Sequence, residues 1–405
     1  MSPSNSDTKN LISSLIWVIY LPGFLFSVAQ GMIVPVLPLF AKNLTESFQL
    51  IGWVLAADFL GQVLSDIPTG YIMERIGRRR GMIVGLAVLA ITTGIIFFTT
   101  AIWQIFMLRL LSGFGVALYS VSRHAWMADG VNVAQRGRAL SVLGGVFRGG
   151  KTVGPILGGT LAVTFGQEPT FIFFAALLVL PMLILAFVPE RKEANPVQPK
   201  NAHHPSEFVD VVKDHWQVLL PAGGGAFFAQ MVRAARNVVL PLFAAVVLSL
   251  NEQEIGTIVS ASSLVDTVLF PVAGILMDRF GRKFAIVPSF VFQGIGVFGI
   301  TLATGYWGLM FAAIFIGLGN GISAGTMMTL GADLSPADKR GSFLGVWRLI
   351  GDAGFFTAPL LVGVIADALT LGAATTILAF SGGIASAIFG FFVPETLDKK
   401  PVPAD

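Results

Sequence analysis

Residues 70–80 read GYIMERIGRRR and residues 274–284 read GILMDRFGRKF, so one phrase returns 204 positions later. Each copy joins two long apolar segments, running from a Gly through an acid–Arg pair to a second Gly and a basic cluster. The same offset holds on both sides of the phrase. Gly52 matches Gly256, Gly113 and Gly115 match Gly317 and Gly319, and Asp129 matches Asp333. Arg136-Gly137 matches Arg340-Gly341, and Pro155 matches Pro359. A fixed offset kept through a hydrophobic chain predicts two homologous helical bundles in tandem.

The 405 residues are 54% apolar and 12% charged, whereas a soluble domain carries about 25% charged residues. Twelve apolar stretches have the roughly 20 residues that cross a hydrocarbon core: about 13–40, 49–73, 81–100, 102–127, 139–165, 169–189, 216–248, 254–277, 284–303, 306–332, 342–366 and 371–394. Stretches this long are helices, because a membrane barrel would need short alternating strands. The expected fold is an all-α membrane protein of twelve transmembrane helices. It consists of a six-helix bundle over 1–189, a cytoplasmic linker over 190–215 and a second six-helix bundle over 216–405. The first apolar stretch is too long for a signal-peptide core and is read as a retained helix.

The net charge of +3 is not a nucleic-acid signal, because the charges alternate from loop to loop. Of 26 Lys and Arg, eighteen fall in segments on the side of the N-terminus, one (Lys42) falls on the other side, and seven lie within spans. That bias predicts a multi-pass plasma-membrane protein with both termini in the cytoplasm, and the compact loops and absent cysteines fit a bacterial inner membrane. With no cysteine, disulfides, thiol catalysis and thiolate metal sites are excluded. His203 and His204 stand in the Pro-rich linker with no Cys near them, so no metal is expected there. No cofactor is expected either. The Gly-rich runs at 223–225 and 317–321 lie inside apolar spans, which is the wrong context for a phosphate cradle.

Six helices, a linker, six more helices and the duplicated loop phrase resemble the major facilitator superfamily over essentially the whole chain. The loop signature of that family is carried here by Gly70, Glu74, Arg75, Gly77, Arg78 and Arg79, and again by Gly274, Asp278, Arg279, Gly281, Arg282 and Lys283. Glu74 stands where Asp is more usual, which keeps the charge and lengthens the reach. Arg109-xxx-Gly113-x-Gly115 in the fourth segment resembles the buried-arginine motif linked to proton coupling. Gly150-xxx-Gly154-Pro155-xx-Gly158-Gly159 in the fifth resembles the motif of proton-driven antiporters, including tetracycline and multidrug exporters. The resemblance implies alternating access, with the loop phrase, Asp129 and Asp333 forming a cytoplasmic gate of ion pairs and helix termini.

Seven cations lie within the spans, Arg109, Arg123, Arg148, Lys151, Arg233, Arg236 and Arg348, together with four acids, Asp58, Asp66, Asp266 and Asp352. A lone charge at the bilayer centre costs at least about 2.5–3.5 kcal/mol, so these residues need partners or a wet cavity. Asp58 and Arg109 lie at similar depth in the second and fourth segments and form a candidate buried pair. Arg348 and Asp352 are four apart and can pair within one helix. Arg148, Lys151, Arg233, Arg236, Asp266 and Asp352 are the candidate substrate-site residues. Asp58, Arg109 and Asp266 are the candidates for proton coupling, because a carboxylate that exchanges protons near neutral pH needs burial opposed by a nearby arginine. Arg123, near the cytoplasmic end of its segment, is set apart from this inner group, and His124 beside it is read as structural. The cation surplus that remains points to an anionic or zwitterionic cargo. Complete internal pairing with an apolar cargo is the alternative.

The expected function is therefore a secondary transporter, and not an enzyme, that moves a small amphiphilic or lipid-like compound in exchange for protons. It would act as a monomer in the bilayer. A proton-coupled symporter for an organic anion and a lipid or lysolipid flippase of the same fold are the alternatives. A membrane enzyme would need a nucleophile–base or metal constellation near one surface, and none is legible.

Overall fold

A computed structural model describes residues 15–131, 133–188, 205–336 and 339–397. The histidines at 203 and 204 and most of the segment expected to be a linker lie outside the described residues, as do the side chains of Asp66 and Asp129. Twelve helical spans follow in order among the described residues. In the first half they are α1 (Ile16–Leu44), α2 (Phe48–Ile76), α3 (Arg78–Phe98), α4 (Ile102–Gly130), α5 (Val133–Phe165) and α6 (Gln167–Phe187). In the second half they are α7 (Pro205–Val246), α8 (Glu252–Phe280), α9 (Arg282–Leu302), α10 (Tyr306–Leu334), α11 (Arg340–Ala368) and α12 (Leu371–Phe391). Eleven of them are long and apolar enough to cross a membrane on length and composition alone. The remaining one, α5, has the length but carries Arg148 and Lys151 in its middle.

Two helix starts carry local caps. Ser47 caps α2 by accepting from the Leu50 amide at 3.3 Å. Asn251, its repeat mate, forms a reciprocal box with Glu254 at the start of α8, with both contacts at 2.9–3.0 Å. Gly77 and Gly281, the second glycines of the two loop copies, hold φ of 84° and 111°, a backbone region that side chains with a Cβ avoid. Each turns the chain sharply into the next helix.

Two spans are broken. In α1, helix gives way to a turn at 34–36, where Pro35 and Pro38 each withdraw a backbone donor. In α10, a turn over Ser323–Gly325 separates two helical pieces, with Gly325 left-handed at φ 80°. The seventh helix begins at Pro205, inside the stretch expected to be a linker, and bends at His215 (φ −122°, ψ 18°).

The chain forms two compact units. The first takes α1–α6 together with Asn237–Leu264 and Pro359–Leu371. The second takes the earlier part of α7, Val265–Ala358, and α12 with the residues after it.

Within the first unit, glycines set the helix spacing. A Cβ at Gly150 would strike Ser27, one at Gly154 the Val28 carbonyl, and one at Gly158 the Met32 carbonyl, so these three residues seat α5 on α1. Pro155 and Gly159 use the other face of α5. A Cβ at Gly256 of α8 would strike the Pro155 carbonyl, and one at Gly159 the Glu252 carbonyl. The repeat mates make the same crossing between α2 and α11: Gly52 faces the Pro359 carbonyl and Gly363 faces the Phe48 carbonyl. Asp367 of α11 then caps α2, accepting from the Phe48 and Gln49 amides at 2.7 and 2.9 Å.

Candidate functional site: buried ion pairs and an amphiphilic cavity

Asp58 on α2 and Arg109 on α4 meet at 3.3 Å, and both are buried, at 9% and 7% exposure. Glycine makes that approach possible. A Cβ at Gly113 would strike the Asp58 carbonyl, and one at Gly61 would strike the Leu110 carbonyl, so the two backbones lie against each other beside the pair. Ser112 donates to Asp58 Oδ1 at 2.6 Å and Gln62 donates to Oδ2 at 3.0 Å, so both carboxylate oxygens are engaged. Arg109 is less well served. Its Nε and Nη1 find no acceptor among the described residues.

Asp266 on α8 is 4% exposed and receives Asn320 of α10 at 2.6 Å and Arg236 of α7 at 3.4 Å. This second buried pair ties three helices of the C-terminal half. One turn along α7, Arg233 reaches the break in α10 and donates to the Ser323 hydroxyl at 2.7 Å and to its carbonyl at 3.2 Å. An interrupted helix inside a membrane frees backbone groups that something must satisfy, and this arginine does so. Its guanidinium also lies 5.2 Å from the Phe290 ring centre.

Between α7, α10 and α11 the second unit forms an open-mouthed cavity of about 250 Å3, lined by Ala226, Gln230, Met327, Met328, Leu344, Trp347, Arg348, Gly351 and Asp352. Its wall is mostly apolar and polarizable, with one acid, one base and one amide. The indole of Trp347 is fixed by donation to the Met327 carbonyl at 3.1 Å. Arg348 and Asp352 pair at 3.3 Å as the sequence spacing predicts. With the arginine side chain 75% exposed, that contact contributes about 0–1 kcal/mol. On α5, Arg148 is half-buried and Lys151 exposed, and each has an interaction partner.

In the second loop copy, Arg282 bonds Asp333 at 3.0 Å and Asp278 at 3.1 Å. Lys283 donates to the Gly390 carbonyl at 2.8 Å. The first copy shows the same habit in part. Arg79 bonds the Leu185 carbonyl near the end of α6, and Arg75 lies 4.3 Å from the Tyr71 ring centre.

Several participants escaped the sequence reading. Ser112 follows Arg109 by three residues and so shares its helix face, and Asn320 is a lone amide in an apolar span. Both signals were present. Glu395 is another: it accepts from the Arg282 and Lys283 amides at 2.8 and 3.0 Å, capping α9. The four-residue repeat FVPE at 187–190 and 392–395 marks that position in the sequence.

The family model of the Major Facilitator Superfamily matches residues 19–223 and again 222–405, one match for each half. This chain belongs to the major facilitator superfamily. Among curated relatives, Multidrug resistance protein 2 of Bacillus subtilis is 25% identical over 71% of this chain and 72% of its own. The synaptic vesicular amine transporter of Mus musculus is 25% identical over 92% of this chain and 72% of its own. A crystal structure of the nucleoside transporter NupG superposes with a TM-score of 0.78 at 13% identity, covering 93% of this chain and 98% of that one. The fold of this superfamily member is therefore the twelve-helix fold expected from its repeat, and the chain is a multi-pass membrane transporter.

Proposed function

We propose that this transporter exports a small amphiphilic organic compound in exchange for protons, by alternating access in a bacterial inner membrane with both termini cytoplasmic. The observation that carries the reading is the pair of buried carboxylate–arginine contacts, Asp58–Arg109 in one half and Asp266–Arg236 in the other. A proton that neutralises either carboxylate releases an arginine with no second carboxylate partner among the described residues, and that is a large local change of interaction energy inside a membrane. The cavity beside Trp347, Met327 and Met328, with Arg348 and Asp352 at its edge, suits an apolar body bearing a polar or charged group. The names of the relatives support amphiphilic cargo, one being a multidrug resistance protein and another an amine transporter. In this reading the loop residues Glu74, Arg75, Asp278, Arg279, Arg282 and Asp333 form the cytoplasmic gate, and the transporter works as a monomer.

The test is proton release from purified, unbuffered protein on addition of candidate amphiphiles, comparing wild type with Asp58→Asn and Asp266→Asn. Ligand-triggered release by wild type, lost in one variant, is the expected result and names the coupling acid. Binding without release in any variant would sink the exchange mechanism. It would favour the second reading, an organic-anion symporter or a flippase for lipid or lysolipid, which the surplus of intramembrane arginine and lysine supports.

A further inference from the structure

Arg123, near the cytoplasmic end of α4, is a buried cation that meets aromatic rings on two helices. It is 5% exposed on α4. Its guanidinium carbon lies 4.3 Å from the centre of the Phe147 ring on α5 and 5.2 Å from that of Tyr119, one turn back on α4. Phe26 of α1 closes the cluster, with its ring centre 4.7 Å from Tyr119 and 5.9 Å from Phe147. No carboxylate bonds the guanidinium among the described residues. Its Nε and Nη1 donors are buried without an acceptor among the described residues, and the one polar group beside the guanidinium there is the fully buried Tyr119 hydroxyl, a neutral partner.

Aromatic faces attract a cation and offset part of the loss of water, but they do not take its N–H hydrogens as a carboxylate oxygen does. A guanidinium shut away from water with idle donors is the half-built state of an anion contact. Asp58–Arg109, on the same helix, shows the completed form: the arginine is equally buried and a carboxylate is present.

We infer that Arg123 is an anion-recognition point and that this transporter takes compounds carrying a carboxylate on an aromatic body. The carboxylate engages the guanidinium donors, and the body lies against the half-buried Phe147. The inference rests on the transport reading above only in calling such a compound a substrate.

Equilibrium dialysis of the purified full chain against 2-naphthoate and its neutral counterpart 2-naphthamide tests it. Because charge-assisted hydrogen bonds separate the probes, wild type is expected to bind the acid about tenfold more tightly than the amide. Arg123→Gln should remove that preference, and Arg123→Lys should keep part of it. Phe147→Leu, which leaves the cation in place, should weaken both probes and preserve their ratio. Equal binding of the two probes by wild type would overturn the inference without any variant having to fold. So would a preference that survives Arg123→Gln. Displacement of naphthoate by an anionic lysophosphatidylglycerol, and not by lysophosphatidylcholine, would support the same anion point and identify a lipid headgroup as its occupant. Naphthoate binding with no uptake into proteoliposomes would leave the anion point standing and count against transport. Amphiphile-driven proton release with no naphthoate preference would do the reverse.

Discussion

The two buried ion pairs hold their helices in different ways. Asp58 is held by residues of two helices that touch backbone to backbone, through Arg109, Ser112 and Gln62. Asp266 is shared among three helices, through Arg236 on α7 and Asn320 on α10. The repeat does not relate them. Asp58 has Ser262 as its mate, Arg109 has Ala313, Asp266 has Gln62 and Arg236 has Met32. The helix crossings behave in the opposite manner: Gly52 and Gly256, Pro155 and Pro359, and Gly159 and Gly363 all fall on the offset and make matching contacts. Spacing is what the duplication preserves, and intramembrane charge is where the halves part.

The largest effect that would probe this contrast is at Asp58. Asp58→Leu strands a buried Arg109 that already lacks acceptors for two donors. We expect a loss of about 3–5 kcal/mol, the usual result of removing one partner of a buried pair. Adding Arg109→Leu should recover most of that loss, because two apolar side chains leave no uncompensated charge. Thermal unfolding in detergent reads both variants. A double variant no more stable than the single one would mean that the pair serves packing and not charge balance.

The crossings should show a smaller and matched effect. Gly159→Val and Gly363→Val each drive a side chain into a backbone carbonyl, of Glu252 and Phe48 respectively. Each is expected to cost about 1–3 kcal/mol as an overpacked contact. Gly70→Ala and Gly274→Ala provide the control, because a Cβ at either meets nothing within 4 Å. Both lie inside helices, so each variant should equal wild type or gain up to about 1 kcal/mol from the better helix former. Strongly unequal costs at Gly159 and Gly363 would break the claim that the duplication preserves spacing.

Much of the fold was legible because membrane helices must be long, apolar and self-satisfied in hydrogen bonding, and because the repeat supplied a second copy of every boundary. The pairs Asp58–Arg109 and Arg348–Asp352 were legible from depth and spacing along helices. The partner of Asp266 was not, because sequence spacing carries no information on which of several helices will lie beside α8. The two faces of the α5 motif were hidden for the same reason: Gly154 and the Pro155 ring lie against α1, while the Pro155 carbonyl faces α8. Arg123 was discounted for its place near a helix end, where charge ordinarily reaches water. The aromatic residues of α1 and α5 that bury it come from elsewhere in the chain.

The smallest effect concerns the two loop copies. Beside the second copy, Glu395 caps the start of α9, next to Arg282 and its partner Asp333. Partial removal from water alone would push its carboxyl upward. The backbone N–H groups of Arg282, Leu397, Lys283 and Thr396 outweigh that and hold it below the usual glutamate range. A carboxylate with a lowered folded-state pKa adds stability that is present above its unfolded pKa and is lost as the pH falls through the folded one. Glu395→Gln should therefore cost about 0.3–1 kcal/mol near neutral pH, as expected for an anion at an exposed helix start. The gap to wild type should shrink as the solution is acidified below the ordinary carboxylate range, because both side chains are then neutral. Unfolding midpoints across that range decide the point. A gap that persists undiminished in acid would assign the role of Glu395 to shape alone, and the tie between the loop phrase and the end of α12 would no longer rest on charge.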